Sequence, residues 1–357
     1  MTRKLTIFII FILFGLAAFL AGYLFTQNRN PSDQQALINN SLVERFNQTE
    51  EKYTEPAGLF ELTSGEAGFP TLSGNGVEVW YYIPRSGEIR SVTIKNPLAG
   101  STLLAKIQPN AANISWGANK TLIANYSTGA IYYNLASNFS KKYETSIKNP
   151  VLDKAGAKIA YTYFNEATGE GSVTIADPGL ESFKNIIPTR FAGWQIRWLG
   201  NNKLGLIKPP TLENTQISLF TLDTGEKTLQ NILDFKNNLK IAWSLDGQKI
   251  AYSHIDPYTG QNGLYFMDLA VKKETPLNLT YDASKCVWSS NNKTVYCAGK
   301  DSFVYFDATA ATVETQTVAN SQKADVVSAA NLFLTGTEDY LIFKNTKDGK
   351  LYGLSLK

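Results

Sequence analysis

The fold is decided by residues 241–252, which read Ile-Ala-Trp-Ser-Leu-Asp-Gly-Gln-Lys-Ile-Ala-Tyr. Two apolar runs flank the pair Asp246-Gly247, which is typical of a tight turn between antiparallel strands. Degenerate copies of this hairpin recur along the chain. They align Trp243 and Ile250 with Leu72 and Val79, Trp116 and Ile123, Leu152 and Ile159, Trp198 and Leu204, Trp288 and Val295, and Leu334 and Leu341.

The spacing of these copies indicates a ring of blades. Successive copies lie 44, 36, 46, 45, 45 and 46 residues apart, a period typical of β-propellers. Each copy continues with a third strand, such as residues 263–269, and a weaker fourth strand. A four-stranded antiparallel blade buries both faces only by packing between neighbours. The sequence therefore predicts an all-β fold, a seven-bladed propeller over residues 58–357.

The two ends of the chain suggest how the ring closes. The seventh copy ends after its third strand, at residues 349–357. Residues 58–63, Gly-Leu-Phe-Glu-Leu-Thr, precede the first copy, and we predict that they complete the last blade and protect its edge. In an alternative register, the last blade begins near Val327 and takes all four strands from the C-terminal segment.

The repeats resemble the TolB-like, WD-type propeller repeats of bacterial envelope proteins. In those repeats Trp-Ser-Pro-Asp-Gly-Lys precedes the second strand, and Leu-Tyr-x-Met-Asp-Leu forms the third. The resemblance covers residues 58–357 and is closest at 243–252 and 264–269, where Leu245 replaces the usual Pro. Related propellers serve as partner-binding scaffolds, sugar-processing enzymes and peptidase gates, so the resemblance implies a fold rather than one activity.

The N-terminus carries a second strong signal. Residues 5–25 are an uncharged, apolar run preceded by Arg3 and Lys4, and the run is long enough to cross a bilayer. We predict an uncleaved single-pass anchor from Leu5 to Phe25, with a cleaved signal peptide as the alternative. The preceding charges indicate a cytoplasmic N-terminus and a periplasmic or extracellular propeller. Residues 26–57 are predicted to be a polar, partly helical juxtamembrane linker, and the anchor or this helix could pair two copies as a homodimer.

Composition limits the partners. The net charge is +3, and the arginines after residue 57 are Arg85, Arg90, Arg190 and Arg197. A nucleic-acid-binding protein usually clusters basic residues on one face, so we expect no nucleic-acid partner.

The two cysteines form a predicted pair. Cys286 and Cys297 flank the Asn291-Asn292 turn symmetrically, which places them opposite each other if Trp288 pairs with the residue seven positions later. Outside the cytoplasm such a pair can be oxidised to a disulfide. Two buried thiols are the alternative.

Catalytic motifs are scarce. His254 is the single histidine, and the sequence contains no Gly-x-Ser-x-Gly motif and no His or Cys cluster with zinc-ligand spacing. Asp153 and Asp246 stand at predicted turns, where Asp commonly caps its own backbone. We expect no catalytic residue, no metal and no cofactor, and hence not an enzyme. Paired carboxylates from distant blades remain an alternative.

Loop lengths suggest a binding surface. Long loops follow several second and fourth strands, and they carry residue types that are enriched in binding hot spots. We predict a protein-binding or envelope-assembly scaffold. A glycan- or peptidoglycan-binding module is the alternative, followed by a propeller-type glycosidase or lyase. Packing between blades is the competing interpretation of the aromatic residues. The candidate contact residues are Arg190, Phe191, Trp194, Lys208, His254, Asp256 and Tyr258.

Overall fold

The computed structural model describes residues 55–200, 202–211, 216–310, 312–319, 321 and 324–357. These residues form antiparallel β-sheets, and none of them lies in an α-helix. Within this part of the chain, no helix is long and apolar enough to cross a membrane. The predicted anchor and most of the predicted linker lie outside the described residues. Short 3-10 helices occur at Pro97–Ala99, Ala283–Lys285 and Val326–Ser328.

The first half of the structure contains an N-terminal strand and three four-stranded sheets. The N-terminal strand is β1 (Leu59–Glu61). The first sheet contains β2 (Gly68–Leu72), β3 (Glu78–Ile83), β4 (Glu88–Thr93) and β5 (Ser101–Lys106). The second contains β6 (Asn113–Trp116), β7 (Thr121–Tyr126), β8 (Gly129–Asn134) and β9 (Phe139–Lys142). The third contains β10 (Ile147–Leu152), β11 (Ile159–Asn165), β12 (Glu170–Ala176) and β13 (Phe183–Thr189).

The second half contains one seven-stranded and two four-stranded sheets. The seven-stranded sheet contains β14 (Gln195–Gly200), β15 (Lys203–Lys208), β16 (Gln216–Asp223), β17 (Thr228–Trp243), β18 (Lys249–Ile255), β19 (Asn262–Asp268) and β20 (Lys273–Leu279). The next sheet contains β21 (Cys286–Trp288), β22 (Thr294–Ala298), β23 (Phe303–Asp307) and β24 (Gln316–Thr317). The last sheet contains β25 (Ala329–Leu334), β26 (Tyr340–Asn345), β27 (Leu351–Ser355) and β1.

The hairpin at residues 241–252 shows why the repeated phrase has its form. Ser244 N donates to Lys249 O at 2.9 Å, which closes the turn. Asp246 Oδ1 accepts from Ser244 Oγ and from Gln248 N, so the carboxylate caps its own turn. Gly247 has φ +65°, and a Cβ there would lie 2.1 Å from Leu199 O in the preceding part of the sheet. Only glycine fits this position.

The strand registers agree with six of the seven predicted pairs. Trp243 lies opposite Ile250, and the other aligned pairs match except one. The prediction for Trp116 is wrong by one residue, because Trp116 pairs with Leu122. The turn there has two residues with positive φ, Asn119 (56°) and Lys120 (59°). It spans the same number of residues as the turn between Trp198 and Leu204 and is one residue shorter than the other five.

The N-terminal strand joins the C-terminal sheet. Leu59 lies opposite Leu354 and Glu61 opposite Tyr352, the position that the sequence assigns to residues 58–63. The alternative beginning near Val327 does not occur, since Val326–Ser328 is a 3-10 turn and β25 begins at Ala329. The fourth strand of the last sheet is therefore contributed by the opposite end of the described chain.

The core lies between consecutive sheets. Tyr82 and Leu122 share a buried cluster that joins the first sheet to the second. Val79 and Ile342 share another, which joins the first sheet to the last. Similar clusters join the remaining neighbours and the two halves of the seven-stranded sheet. Because each sheet packs on both faces, apolar residues are buried on both sides of its strands.

Candidate functional site

A concave site among the described residues is a cleft between β14 and the second half of β17. Its volume is about 830 Å³, within the usual range for small-molecule sites. Strand β17 is 16 residues long and pairs first with β16 and then with β18. The seven-stranded sheet therefore bends around the cleft. We call it the cationic cleft. Its lining residues are Gln195, Ile196, Arg197, Ile207, Pro209, Pro210, Ile217, Asn237, Asn238, Leu239, Lys240, Ile241 and Trp243.

Arg197 and Lys240 are the charged residues of the described lining. Neither side chain forms a hydrogen bond or ion pair within the described part of the chain. Burial lowers the pKa of the Arg197 guanidinium, although much of the side chain remains accessible to solvent. This combination is typical of a side chain within a concave, solvated site. An anion in the cleft would therefore meet two cations that have no counterion among the described residues.

Amide side chains and an apolar wall complete the cleft. Gln195, Asn237 and Asn238 contribute both hydrogen-bond donors and acceptors. Asn238 has φ 54°, a conformation that Asn tolerates better than most residues, and it lies where the register of β17 against β18 shifts. Ile217 and Trp243 form part of the apolar wall. The site can bind a ligand that has an anionic group, hydroxyl groups and an apolar face.

Carboxylates are absent from the described lining of the cleft. The described residues also contain no group of three or more His, Cys, Asp or Glu that could hold a metal ion. Neither paired-carboxylate chemistry nor a protein-ligated metal is therefore supported by these residues.

Three predicted contact residues, Phe191, Trp194 and Lys208, belong to one packed group. Trp194 is buried, and its ring makes edge-to-face contacts with Phe191 at 5.3 Å and Phe220 at 5.6 Å. Its indole N–H donates to Thr189 Oγ1 at 2.9 Å. Lys208 Nζ lies 5.5 Å from the centre of the Phe191 ring. Trp194 is thus a core residue, and its replacement would disturb packing as well as any contact surface.

Three further predicted residues, His254, Asp256 and Tyr258, lie at the end of β18 and in the loop after it. His254 is buried in a stack, with its ring 4.9 Å from Tyr265 and 6.2 Å from Tyr252. Asp256 Oδ1 accepts from the backbone N–H groups of Thr259 and Tyr258, each at 2.8 Å, and these bonds lower the pKa of the Asp256 carboxyl. Tyr258 is 95% exposed. Asp256 therefore orders the loop, and Tyr258 is the member of this group that is free to meet a partner.

The predicted contact residues form two separate groups. Among the described residues, no hydrogen bond, ion pair or ring contact links the Phe191 group to the His254 group. Arg190 is exposed and pairs with neither group. The candidate residues missed from the sequence are Arg197 and Lys240. Their signal was a charged residue in the first strand of a unit, where apolar residues are expected.

Cys286 and Cys297 are opposite each other in the β21–β22 hairpin and form a disulfide, with their Cα atoms 4.1 Å apart. The bond ties the first two strands of this sheet together. Neither cysteine lines the cationic cleft.

No protein-family model matches the sequence, and no curated protein matches it significantly. Solved structures are similar in fold. An oligogalacturonate lyase in complex with manganese has a TM-score of 0.60 at 9% identity over 85% of this chain and 95% of its own. The oligogalacturonate lyase of Vibrio parahaemolyticus has a TM-score of 0.59 at 8% identity over 85% of this chain and 96% of its own. A β-propeller domain from Myceliophteria thermophila has a TM-score of 0.54 at 10% identity over 85% of this chain and all of its own.

These similarities define the class of protein, a β-propeller built from four-stranded antiparallel sheets. They also correct one prediction. The lack of a catalytic motif suggested that the chain is not an enzyme, but the same fold occurs in two lyases, so that exclusion is wrong. The manganese of the first neighbour has no matching donor cluster among the described residues of this chain, and we derive no metal-dependent step.

Proposed function

We propose that the protein binds an acidic saccharide in the cationic cleft. The observation that carries this proposal is a pair of cations, Arg197 and Lys240, in a cleft of about 830 Å³, and neither has a counterion in the described part of the chain. A carboxylate paired with a guanidinium forms a charge-assisted hydrogen bond, which contributes roughly 1.5 to 3 kcal/mol. The charge of the cleft therefore favours a ligand that carries a carboxylate.

The neutral lining favours a sugar over a simple anion. Gln195, Asn237 and Asn238 can donate to and accept from hydroxyl groups. Ile217 and Ile241, which are partly exposed, offer an apolar surface for the C–H face of a sugar ring. Oligogalacturonate, the substrate named for two proteins of similar fold, combines carboxylates and hydroxyls in this way and supports the choice of ligand class.

Eliminative cleavage of the bound saccharide is the second candidate function. A cation beside a uronate carboxylate stabilises the negative charge that develops when the adjacent C–H is deprotonated. Arg197 has the required charge. Solvent water accepts the proton, the bond to the glycosidic oxygen breaks as a carbon–carbon double bond forms, and the leaving oxygen takes up a proton from water. Two-carboxylate hydrolysis is less well supported, because the described lining contains no Asp or Glu.

The test is a titration of the purified full-length protein with a short oligogalacturonate and with a neutral oligosaccharide of equal length. We expect the acidic ligand to bind and the neutral one to bind at least about tenfold more weakly, because one charge-assisted hydrogen bond corresponds to this ratio or more. Equal affinities, or no binding of the acidic ligand, would contradict the proposal. Ultraviolet absorbance of an unsaturated product distinguishes a lyase from a binding module.

We further propose that the sheets form a closed ring of seven blades. The seven-stranded sheet can be divided at β17, whose first half pairs with β16 and whose second half pairs with β18. The cluster between the first and last sheets supports closure. A crystal structure that shows fewer blades or an open edge between these sheets would refute this count.

We also propose that residues 5–25 anchor the protein in a membrane and that the propeller lies outside the cytoplasm. The disulfide supports this location, because disulfides persist in oxidising compartments. If the propeller is extracellular, protease added to intact cells should remove it. If the propeller is periplasmic, protease should remove it only when added to spheroplasts. Protection in both preparations would contradict the proposal.

A further inference from the structure

The turns between the first and second strands of neighbouring sheets are linked by side chains. We define the capping position as the fourth residue after the aligned Trp or Leu. Asn292 occupies it in the β21–β22 hairpin. Its Oδ1 accepts from Leu245 N at 2.9 Å and from Asp246 N at 3.3 Å in the preceding hairpin. One side-chain oxygen thus caps two backbone donors of the neighbouring turn.

Glu338 occupies the capping position in the β25–β26 hairpin and caps one backbone donor and one hydroxyl of the turn before it. Its Oε1 accepts from Ser290 N at 2.5 Å, and its Oε2 accepts from Ser289 Oγ at 2.7 Å. The backbone φ is 57° at Glu338 and 51° at Asn292. The capping side chain is therefore projected from the same backbone conformation in both turns.

The next capping position, in the β2–β3 hairpin, has no side chain because it is Gly76. The turn has the same closure, with Gly76 N donating to Ser73 O at 2.9 Å, and φ is 73°. Gly336 N and Thr337 N occupy the places of Leu245 N and Asp246 N, and within the described chain they have no acceptor. A Cβ at Gly76 would meet only Leu72 Cδ2, at 3.9 Å. The space that a capping side-chain oxygen would occupy at Gly76 is therefore not filled by the described residues.

This place borders a second cavity, which we call the turn cavity. Its volume is about 590 Å³, and its lining includes Gly76, Gly336, Trp80, Trp116 and Lys154. Lys154 makes no ion pair within the described chain. Gly74 and Asn75, which also line the cavity, likewise have backbone N–H groups without an acceptor there. The cavity thus offers uncapped donors, a free cation and two indole rings.

We propose that the turn cavity binds an acidic side chain, Glu or Asp, on a peptide segment of a partner protein. The carboxylate takes the place of the missing cap and accepts from Gly336 N and Thr337 N. The equivalent donors are capped by Asn and Glu side chains on polypeptide turns, so a peptide is a closer match than a sugar. Lys154 supplies charge complementarity, and the indole rings pack against the aliphatic part of the segment. This site is independent of the cationic cleft.

The experiment uses the full-length protein and a cyclic peptide of residues 334–341, Leu-Thr-Gly-Thr-Glu-Asp-Tyr-Leu, which presents glutamate on the same type of turn. Binding is measured by the change in tryptophan fluorescence or by calorimetry. Gly76→Asn supplies an internal cap like Asn292 and is expected to weaken peptide binding at least about tenfold. Gly76→Ala adds a Cβ without an acceptor and is the matched control. Thermal unfolding confirms that both variants are folded.

Binding of the peptide to the wild type and to Gly76→Ala, with loss in Gly76→Asn and in Lys154→Gln, would support the proposal. No binding to the wild type, or equal binding to both Gly76 variants, would overturn it. In another outcome, the wild type binds oligogalacturonate more tightly than the peptide. If Gly76→Asn removes that preference, the turn cavity binds a sugar and the assignment to a peptide is overturned. Loss of saccharide binding in an Arg197 variant alone leaves this site unaffected, so the two proposals fail separately.

Discussion

At the residue scale, three of the four aligned tryptophans tie neighbouring sheets together, whereas the indole of Trp243 makes no hydrogen bond within the described chain. The indole N–H of Trp116 donates to Phe69 O at 2.7 Å, that of Trp198 to Val151 O at 3.2 Å, and that of Trp288 to Ala242 O at 2.9 Å. Each bond reaches the first strand of the preceding unit. The repeated Trp therefore combines apolar burial with one directed bond, which explains its place at the end of a first strand.

Replacement of Trp288 by Phe tests this tie. The side chain is 1% exposed, so the substitution leaves Ala242 O without its buried donor, and we expect the free energy of unfolding to fall by about 1 to 3 kcal/mol. Trp198→Phe is the control, because Trp198 is half-buried and water can reach the freed carbonyl. Urea unfolding that shows equal losses in the two variants would rule out a special role for the buried bond.

The Glu338 cap predicts a dependence on pH. Burial raises the pKa of the carboxyl, but the hydrogen bonds from Ser290 and Ser289 outweigh this effect and lower the pKa below its ordinary value of 4.5. The cap therefore contributes stability above pH 4.5 that is lost as the pH falls through the lower folded-state pKa. We expect Glu338→Gln to flatten this part of the profile of unfolding free energy against pH. An unchanged acid slope would show that the cap does not contribute.

At the element scale, the hairpins were predictable because their patterns are local. Alternating apolar residues and an Asp-Gly or Asn-rich turn specify strand, turn and strand within about a dozen residues. The register at Trp116 could not be predicted. The choice between a shorter and a longer turn depends on Asn119 and Lys120 adopting positive φ. The continuous β17 was also hidden, because the sequence does not show that the fourth strand of one unit runs into the first strand of the next.

The pairing of β1 with β27 makes its own prediction. Gly353 lies opposite Phe60, whose ring covers it, and a Cβ at this glycine would be 2.3 Å from the Phe60 ring. We expect Gly353→Ala to displace the ring from its contact with Tyr340 and to lower the free energy of unfolding by about 1 to 3 kcal/mol. Gly65→Ala is the control, because a Cβ there meets nothing within 4 Å. Equal stability of the two variants in urea would contradict a packed β1.

At the scale of the whole molecule, the candidate site could not be read from the sequence. The predicted contact residues follow from loop composition, and loops indicate exposure without indicating which surfaces converge. Arg197 and Lys240 meet in one cleft because the seven-stranded sheet bends at β17, a long-range property. Trp194 shows the opposite case. Tryptophan is common in binding hot spots, but the side chain of Trp194 is buried in the core.

The cationic cleft is proposed to recognise an acidic saccharide through Arg197 and Lys240, whose side chains have no ion-pair partner among the residues that the structure describes. The most direct measurement is calorimetric titration of oligogalacturonate into the full-length wild type, Arg197→Gln and Arg190→Gln. Arg190 is the matched control, because it is an exposed arginine outside the cleft lining. We predict that Arg197→Gln weakens binding at least about tenfold and that Arg190→Gln leaves it unchanged. Equal affinities for all three proteins, or a loss confined to Arg190→Gln, would contradict the account.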